Sequence, residues 1–197
     1  MPVDMSSETV HLPIVKTMVW PDEAATLGFA AGLAVQPSIS NAFIELRGDL
    51  GAGKTTLVRH LLRALGVSGR IKSPTYAVVE PYELPGLNVW HFDFYRFSDP
   101  REWEEAGFRD IFASSGLKLA EWPEKVAGHL PLADLVVQLT VVDDTARQVT
   151  LTAQTPLGVT LIDFFDSMLA LSDKGPKANE LDGTLMTQVT TLNGTRA

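Results

Sequence analysis

Gly48-Asp49-Leu50-Gly51-Ala52-Gly53-Lys54-Thr55 satisfies G-x-x-x-x-G-K-[ST] at every fixed position. These are the residue types that gripping a polyphosphate demands. Glycines let the backbone bend so that successive N–H groups face one anion. A helix opening directly after the loop aims its N-terminus and the positive end of its dipole at the same point. Lys54 has the reach for β and γ phosphates, and the Thr55 hydroxyl suits a magnesium ion. The candidate nucleotide-binding residues are therefore Gly48, Asp49, Leu50, Gly51, Ala52, Gly53, Lys54, Thr55 and Thr56. A chance glycine turn followed by Lys-Thr would lack the apolar run before it and the amphipathic run after it.

Three further segments carry residues that could serve such a loop. In "LNVWHFDFYRF", residues 87–97, alternation places Trp90, Phe92 and Phe94 on one face and His91, Asp93 and Tyr95 on the other. Asp93 is a candidate second magnesium contact at a strand end; a strand-end carboxylate paired with Arg96 is the plainer alternative. His91 and Asp93 also suggest a transition-metal site, but no third ligand stands at nearby spacing. In "KSPTY", residues 72–76, Ser73 or Thr75 could sense the γ-phosphate and its metal from a switch segment; a simple proline turn is the alternative. In "LKLAEWPE", residues 117–124, Glu121 could orient the attacking water or hold a magnesium-bound water. An ordinary ion pair would explain Glu121 equally, and Trp122 by itself reads as core.

The elements that must position these residues follow from periodicity. An apolar strand is expected near Ile14–Val19. Pro21, Asp22 and Glu23 then open a helix that carries Ala24, Leu27, Ala31 and Ala34 on one face. Residues 42–47 read as a buried strand. After the loop, Leu57, Leu61 and Leu65 recur every fourth residue, with Val58 and Leu62 beside them, and Gly66 stops the helix. Strands are expected over Tyr76–Tyr82 and Leu87–Tyr95, separated by "ELPG". Asp99, Pro100 and Glu102 form a helix-start signature. Leu117–Glu121 is a strand halted by Pro123, and Leu135–Val142 with Gln148–Ala153 an antiparallel hairpin. Val159–Leu171 can form an amphipathic helix, and the polar run after it reads as disordered. The expected layout is an N-terminal extension over 1–13, a nucleotide-binding domain over 14–157 and a C-terminal extension over 158–197.

Composition narrows the function. The chain has 197 residues, no cysteine and a net charge of −8. The absence of cysteine removes disulfides, thiolate metal sites and cysteine nucleophiles together. Net negative charge gives no global attraction for nucleic acid, although a local basic patch stays open. The start lacks the charged and apolar regions of a secretory signal, and "LGFAAGLAV" at 27–35 falls short of the ~20 apolar residues that cross a bilayer. A cytoplasmic protein with no membrane association is expected.

"GDLGAGKTT", "SPTY", "HFDFYR" and "EWPE", in this order and spacing, resemble the bacterial TsaE family over about residues 15–155. Only the first motif is specific alone; the four in series carry the match. The resemblance implies an α/β P-loop NTPase fold, with a mixed parallel and antiparallel sheet flanked by helices and a C-terminal tail. It implies ATP and Mg2+ as cofactors, slow hydrolysis, and docking on a TsaD–TsaB pair that modifies tRNA, so that tRNA is met through the complex. Carried across, Lys54, Asp93 and Glu121 are catalytic, Thr55, Asp93 and Glu121 face the metal, and Thr75 and Trp122 lie near the nucleotide. A small-molecule kinase would use the same loop but would want an arginine-rich lid, and Arg96, Arg101 and Arg109 are scattered. A regulatory GTPase would want N-K-x-D, which the sequence lacks. A nucleotide-binding adaptor differs only in not hydrolysing.

Overall fold

Each apolar or alternating run becomes a strand of one seven-stranded sheet: β1 (Ile14–Trp20), β2 (Phe43–Arg47), β3 (Val79–Leu84), β4 (Leu87–Asp93), β5 (Leu117–Glu121), β6 (Leu135–Val141) and β7 (Arg147–Ala153). The strand order is β1-β7-β6-β2-β5-β4-β3. The four central strands, β6-β2-β5-β4, run parallel; β7 pairs antiparallel with β6, β1 antiparallel with β7, and β3 antiparallel with β4. This is the mixed α/β sheet that the sequence leads one to expect. The computed structural model describes residues 13–99, 102–103 and 106–172. Most of the expected N-terminal extension, Pro100, Arg101 and the expected disordered tail beyond 172 lie outside the described residues.

Helices cover the sheet on two sides, and each side has its own core. On one side lie α1 (Glu23–Ala34), α2 (Lys54–Ala64) and α4 (Pro156–Ser172); on the other lies the short α3 (Phe108–Ala113). The first core is mainly aliphatic. Leu57, Val58, Leu61 and Leu62 of α2 pack on Ile44, Leu46 and Leu119, as the fourfold spacing predicts. The second core is aromatic: Phe92, Phe94, Phe97, Trp103 and Phe108 form one cluster with Phe43. Ring pairs such as Phe92–Phe108, at 5.4 Å and near-perpendicular, have the edge-to-face geometry that ring quadrupoles favour.

Three expectations are corrected. The buried face of α1 is Phe29, Ala30 and Leu33, whereas Leu27 is 47% exposed. The helix is apolar nearly all round, so spacing alone could not orient it, and the bulkiest pair took the core. Asp22 does cap it, accepting from the Ala25 N–H at 3.0 Å. Second, β3 begins at Val79 and not Tyr76, because residues 73–78 are drawn round Asp93; Tyr76 is 85% exposed. Pro81 is tolerated in β3 because β3 is the sheet edge. Third, β4 stops at Asp93, whose carboxylate accepts the Tyr95 N–H at 2.9 Å in place of a continued ladder.

The helix expected over Val159–Leu171 forms as α4, and its first turns pack into the aliphatic core. Leu161 and Ile162 are fully buried, and Phe165 stacks on Phe29 at 4.4 Å. Its first turn sits against the sheet: a Cβ on Gly158 would stand 1.9 Å from the Asp134 carbonyl oxygen. Leu161→Ala should therefore cost about 2–5 kcal/mol, and Leu27→Ala on the exposed face of α1 less than about 0.5 kcal/mol. Urea denaturation of the two variants checks this; equal costs would show that the faces are misassigned.

Candidate functional site

The site forms where the parallel strands end, the place where an open α/β sheet presents its loops. After β2 the chain must turn at once into α2, and glycine makes this feasible at specific points. Gly48 has φ +135°, and a Cβ there would lie 2.2 Å from the Leu139 carbonyl oxygen on β6. The loop is thus seated directly on the sheet. Gly51 and Gly53 also have positive φ. From β7, Arg147 Nε donates to the Ala52 carbonyl at 3.0 Å. The same guanidinium donates to the Asp143 and Ala146 carbonyls. Asp143 closes that hairpin by accepting the Ala146 and Thr145 N–H groups, which hold its carboxyl below the usual range.

Lys54 arches back over the loop, donating to the carbonyls of Gly48 at 2.6 Å and Asp49 at 2.9 Å. Its ammonium lies 3.8 Å above the centre of the Trp122 ring, a cation–π arrangement. Burial draws its pKa below the usual lysine value, while Glu121, Glu124, Asp93 and Asp49 pull it upward. Burial thus works against the charged form of Lys54, and the neighbouring carboxylates work for it. Trp122 adopts left-handed backbone at φ +59°, uncommon for a bulky residue, directly after the strand that carries Glu121. Its ring also meets Tyr95 at 5.0 Å.

The parallel pairing of β4 and β5 sets Asp93 opposite Glu121. The two carboxylates have different partners. Glu121 Oε2 accepts the Thr55 hydroxyl at 2.8 Å, and Oε1 meets His91 Nε2 at 2.8 Å. Asp93 Oδ2 accepts the hydroxyls of Ser73 and, at 2.7 Å, Thr75. The Asp93 N–H donates to the Val78 carbonyl at 2.9 Å, and Val78 itself has φ +66°. Residues 73–78 are thereby wrapped round Asp93.

Of the expected site residues, Lys54, Thr55, Glu121 and Trp122 meet directly, while Asp93 and Thr75 form an adjoining group. Arg96, the alternative partner of Asp93, instead lies over the Tyr76 ring at 4.2 Å and donates to its hydroxyl. Asp49 and Leu50 form the outer part of the loop, with Leu50 exposed, and Thr56 lines the hollow between the loop and Asp22. The oxygen donors on offer, one hydroxyl and two carboxylates, suit a hard cation such as Mg2+. Among the described residues no group of three His, Cys, Asp or Glu could hold a metal ion by itself. Sequence reasoning missed two contributors. Arg147 gives no local signal for its role, and His91 was paired with Asp93 by alternation although its ring reaches the next strand. Among the described residues, no helix is long and apolar enough to cross a membrane.

The chain is similar to known proteins. The family model described as "Threonylcarbamoyl adenosine biosynthesis protein TsaE" matches residues 20–149. The tRNA threonylcarbamoyladenosine biosynthesis protein TsaE of Haemophilus influenzae is 44% identical over 155 residues, spanning 77% of this chain and 98% of its own length. The Bacillus subtilis protein of the same name is 34% identical over 110 residues, covering 56% of this chain and 68% of its own. The crystal structure of Bacillus subtilis YdiB superposes with a TM-score of 0.65 at 24% identity, covering 83% of this chain and 99% of that one, and so shares the fold.

The wrap round Asp93 is directly testable. Asp93→Asn removes a charged acceptor from two hydroxyls. Hydrogen–deuterium exchange at the Val78 amide, which donates to the Pro74 carbonyl, should quicken roughly tenfold, the equivalent of ~1.4 kcal/mol. Exchange at the Leu57 amide in α2 should not change. Unaltered protection at Val78 would show that the segment holds itself.

Proposed function

The chain belongs to the TsaE family of tRNA threonylcarbamoyladenosine biosynthesis, and on that premise we propose that it is a magnesium-dependent ATPase subunit. The observation that carries this reading is the bond from Thr55, the hydroxyl of a complete phosphate loop, to the buried carboxylate of Glu121. A hydroxyl and a carboxylate joined in this way beside a phosphate loop are the paired contacts of a nucleotide-bound magnesium ion.

The residues divide the work. The loop's N–H groups and the start of α2 receive the phosphates. Lys54 exchanges its carbonyl partners for phosphate oxygens, a stronger charge-assisted contact. Thr55 and Glu121 hold the cation, with Asp93 beside them. When bound, magnesium neutralises charge that develops on the transferring phosphoryl group. Asp93 also ties down residues 73–78, so the occupancy of the site bears on the shape of that segment. A segment with two arrangements lets ATP and ADP be distinguished by a partner.

In this reading the phosphoryl acceptor is water and the output is a partner's cycle. The family's pathway supplies the partners: TsaD-like and TsaB-like transferase subunits in the cytoplasm, with tRNA reached through them. Of the cations in contact with the loop, Lys54 and Arg147 are engaged on carbonyls, while Arg59, Arg63, Arg70 and Lys72 line a hollow with Thr55 and Ser73. A transition-state cation supplied in trans contributes about 10³–10⁵ in rate in switch proteins.

The isolated protein should therefore hydrolyse ATP slowly, and faster with TsaD-like and TsaB-like subunits and further with tRNA. Lys54→Ala should remove most nucleotide affinity. Glu121→Gln should bind ATP yet lose roughly 10²-fold or more in turnover. Phosphate release and nucleotide titrations check these outcomes. Vigorous phosphorylation of a small metabolite, indifferent to the subunits, would establish the kinase reading instead. Nucleotide binding with no hydrolysis under any of these conditions would establish the adaptor.

A further inference from the structure

His91 lies on β4, the strand next to the sheet edge, with 0% of its surface exposed. Its Nε2 is 2.8 Å from Glu121 Oε1, and Glu121 is itself only 2% exposed. Its other ring nitrogen, Nδ1, is buried without a hydrogen-bond partner among the described residues. An orphaned buried polar atom is a cost that an apolar ring of the same shape would avoid. Packing alone therefore gives no reason for histidine here. What the residue provides in return is its contact with Glu121.

We infer that His91 is a positioning residue: with its proton on Nε2, it fixes the carboxylate of Glu121 and through it the direction of the Thr55 hydroxyl. The tautomer follows from the partners on each side of the ring. With the proton on Nδ1 alone, an N–H donor would be orphaned in the core and a lone pair would face the carboxylate. A proton on Nε2 alone orphans only an acceptor and gives Glu121 a donor. Glu121 then has one oxygen held by β4 and the other free to accept from α2. A Thr55 hydroxyl that gives its hydrogen to Glu121 keeps its oxygen lone pairs free for a cation. His91 thus stands behind the site as outer groups stand behind metal ligands, fixing orientation without touching the ion.

The inference rests on the nucleotide-site reading, and two measurements separate their fates. The first is ring-nitrogen NMR of the protein without nucleotide, which should show the His91 proton on Nε2. A proton on Nδ1 would overturn the inference, whatever the protein binds. The second compares affinity for a non-hydrolysable ATP analogue with and without magnesium. His91→Phe keeps the ring and removes the donor, and should weaken the magnesium-dependent part of the affinity by about 10–100-fold. The affinity without magnesium should stay near that of the unaltered protein. His91→Gln places an amide N–H near the Nε2 position and should restore most of the loss. His91→Asn, whose amide falls short of Glu121, should not. Thermal melts identify any variant that fails to fold; if Phe does so, the Gln and Asn pair decides. Full magnesium dependence in the Phe or Asn variant would refute the positioning role. If the unaltered protein binds no nucleotide, the nucleotide reading falls, and the ring-nitrogen spectrum still decides the state of His91.

Discussion

Two carboxylates stand side by side at the ends of adjacent parallel strands, and much of the local structure exists to satisfy them. Asp93 and Glu121 are both buried and paired across β4 and β5. Buried acids require donors, since a bare carboxylate in a dry site would be prohibitively costly. The donors come from opposite directions. Glu121 takes one from α2 and faces His91 on β4, whereas Asp93 takes two from the segment that follows α2 and one from its own chain. The loop, the helix behind it and the 73–78 segment are thus tied to the sheet through two acids.

The cores serve this arrangement. The aliphatic side anchors α2, so the helix that presents Lys54 and Thr55 rests on Ile44, Leu46 and Leu119. The aromatic side grips β4 through Phe92 and Phe94, which alternate with His91 and Asp93. Because successive side chains on a strand point to opposite faces, packing of the phenylalanines sets where the histidine and aspartate emerge. A one-residue slip of β4 would exchange rings for acids, so the hydrophobic pattern protects the register of the site.

The phosphate loop was legible because its chemistry is contiguous: eight neighbouring residues declare the turn, the cation and the hydroxyl. Glu121 was legible as a strand-end acid because Pro123 marks where its strand stops, and Asp93 as an acid late in an alternating strand, although that strand was expected to run on to Tyr95. Which acid meets Thr55 was not legible, because that depends on strand order, and β5 lies beside β2 while β4 lies one place further out. The same limit hid His91's contact with Glu121 and Arg147's contact with the loop 95 residues earlier. The orientation of α1 escaped for another reason: a helix apolar on all sides carries little directional information. The start of β3 was missed because the side chains of Ser73 and Thr75 compete with the ladder for the backbone's course.

The seating of the loop on β6 and β7 has a consequence for the energetics of ligand capture. Gly48 abuts the Leu139 carbonyl, and Arg147 clasps the Ala52 carbonyl from the neighbouring strand. The loop's shape is therefore paid for when the sheet folds. Ordering a free loop of this length at the moment of encounter would cost about 1–2 kcal/mol per residue in backbone entropy. A nest moulded in advance would spare an incoming anion that toll.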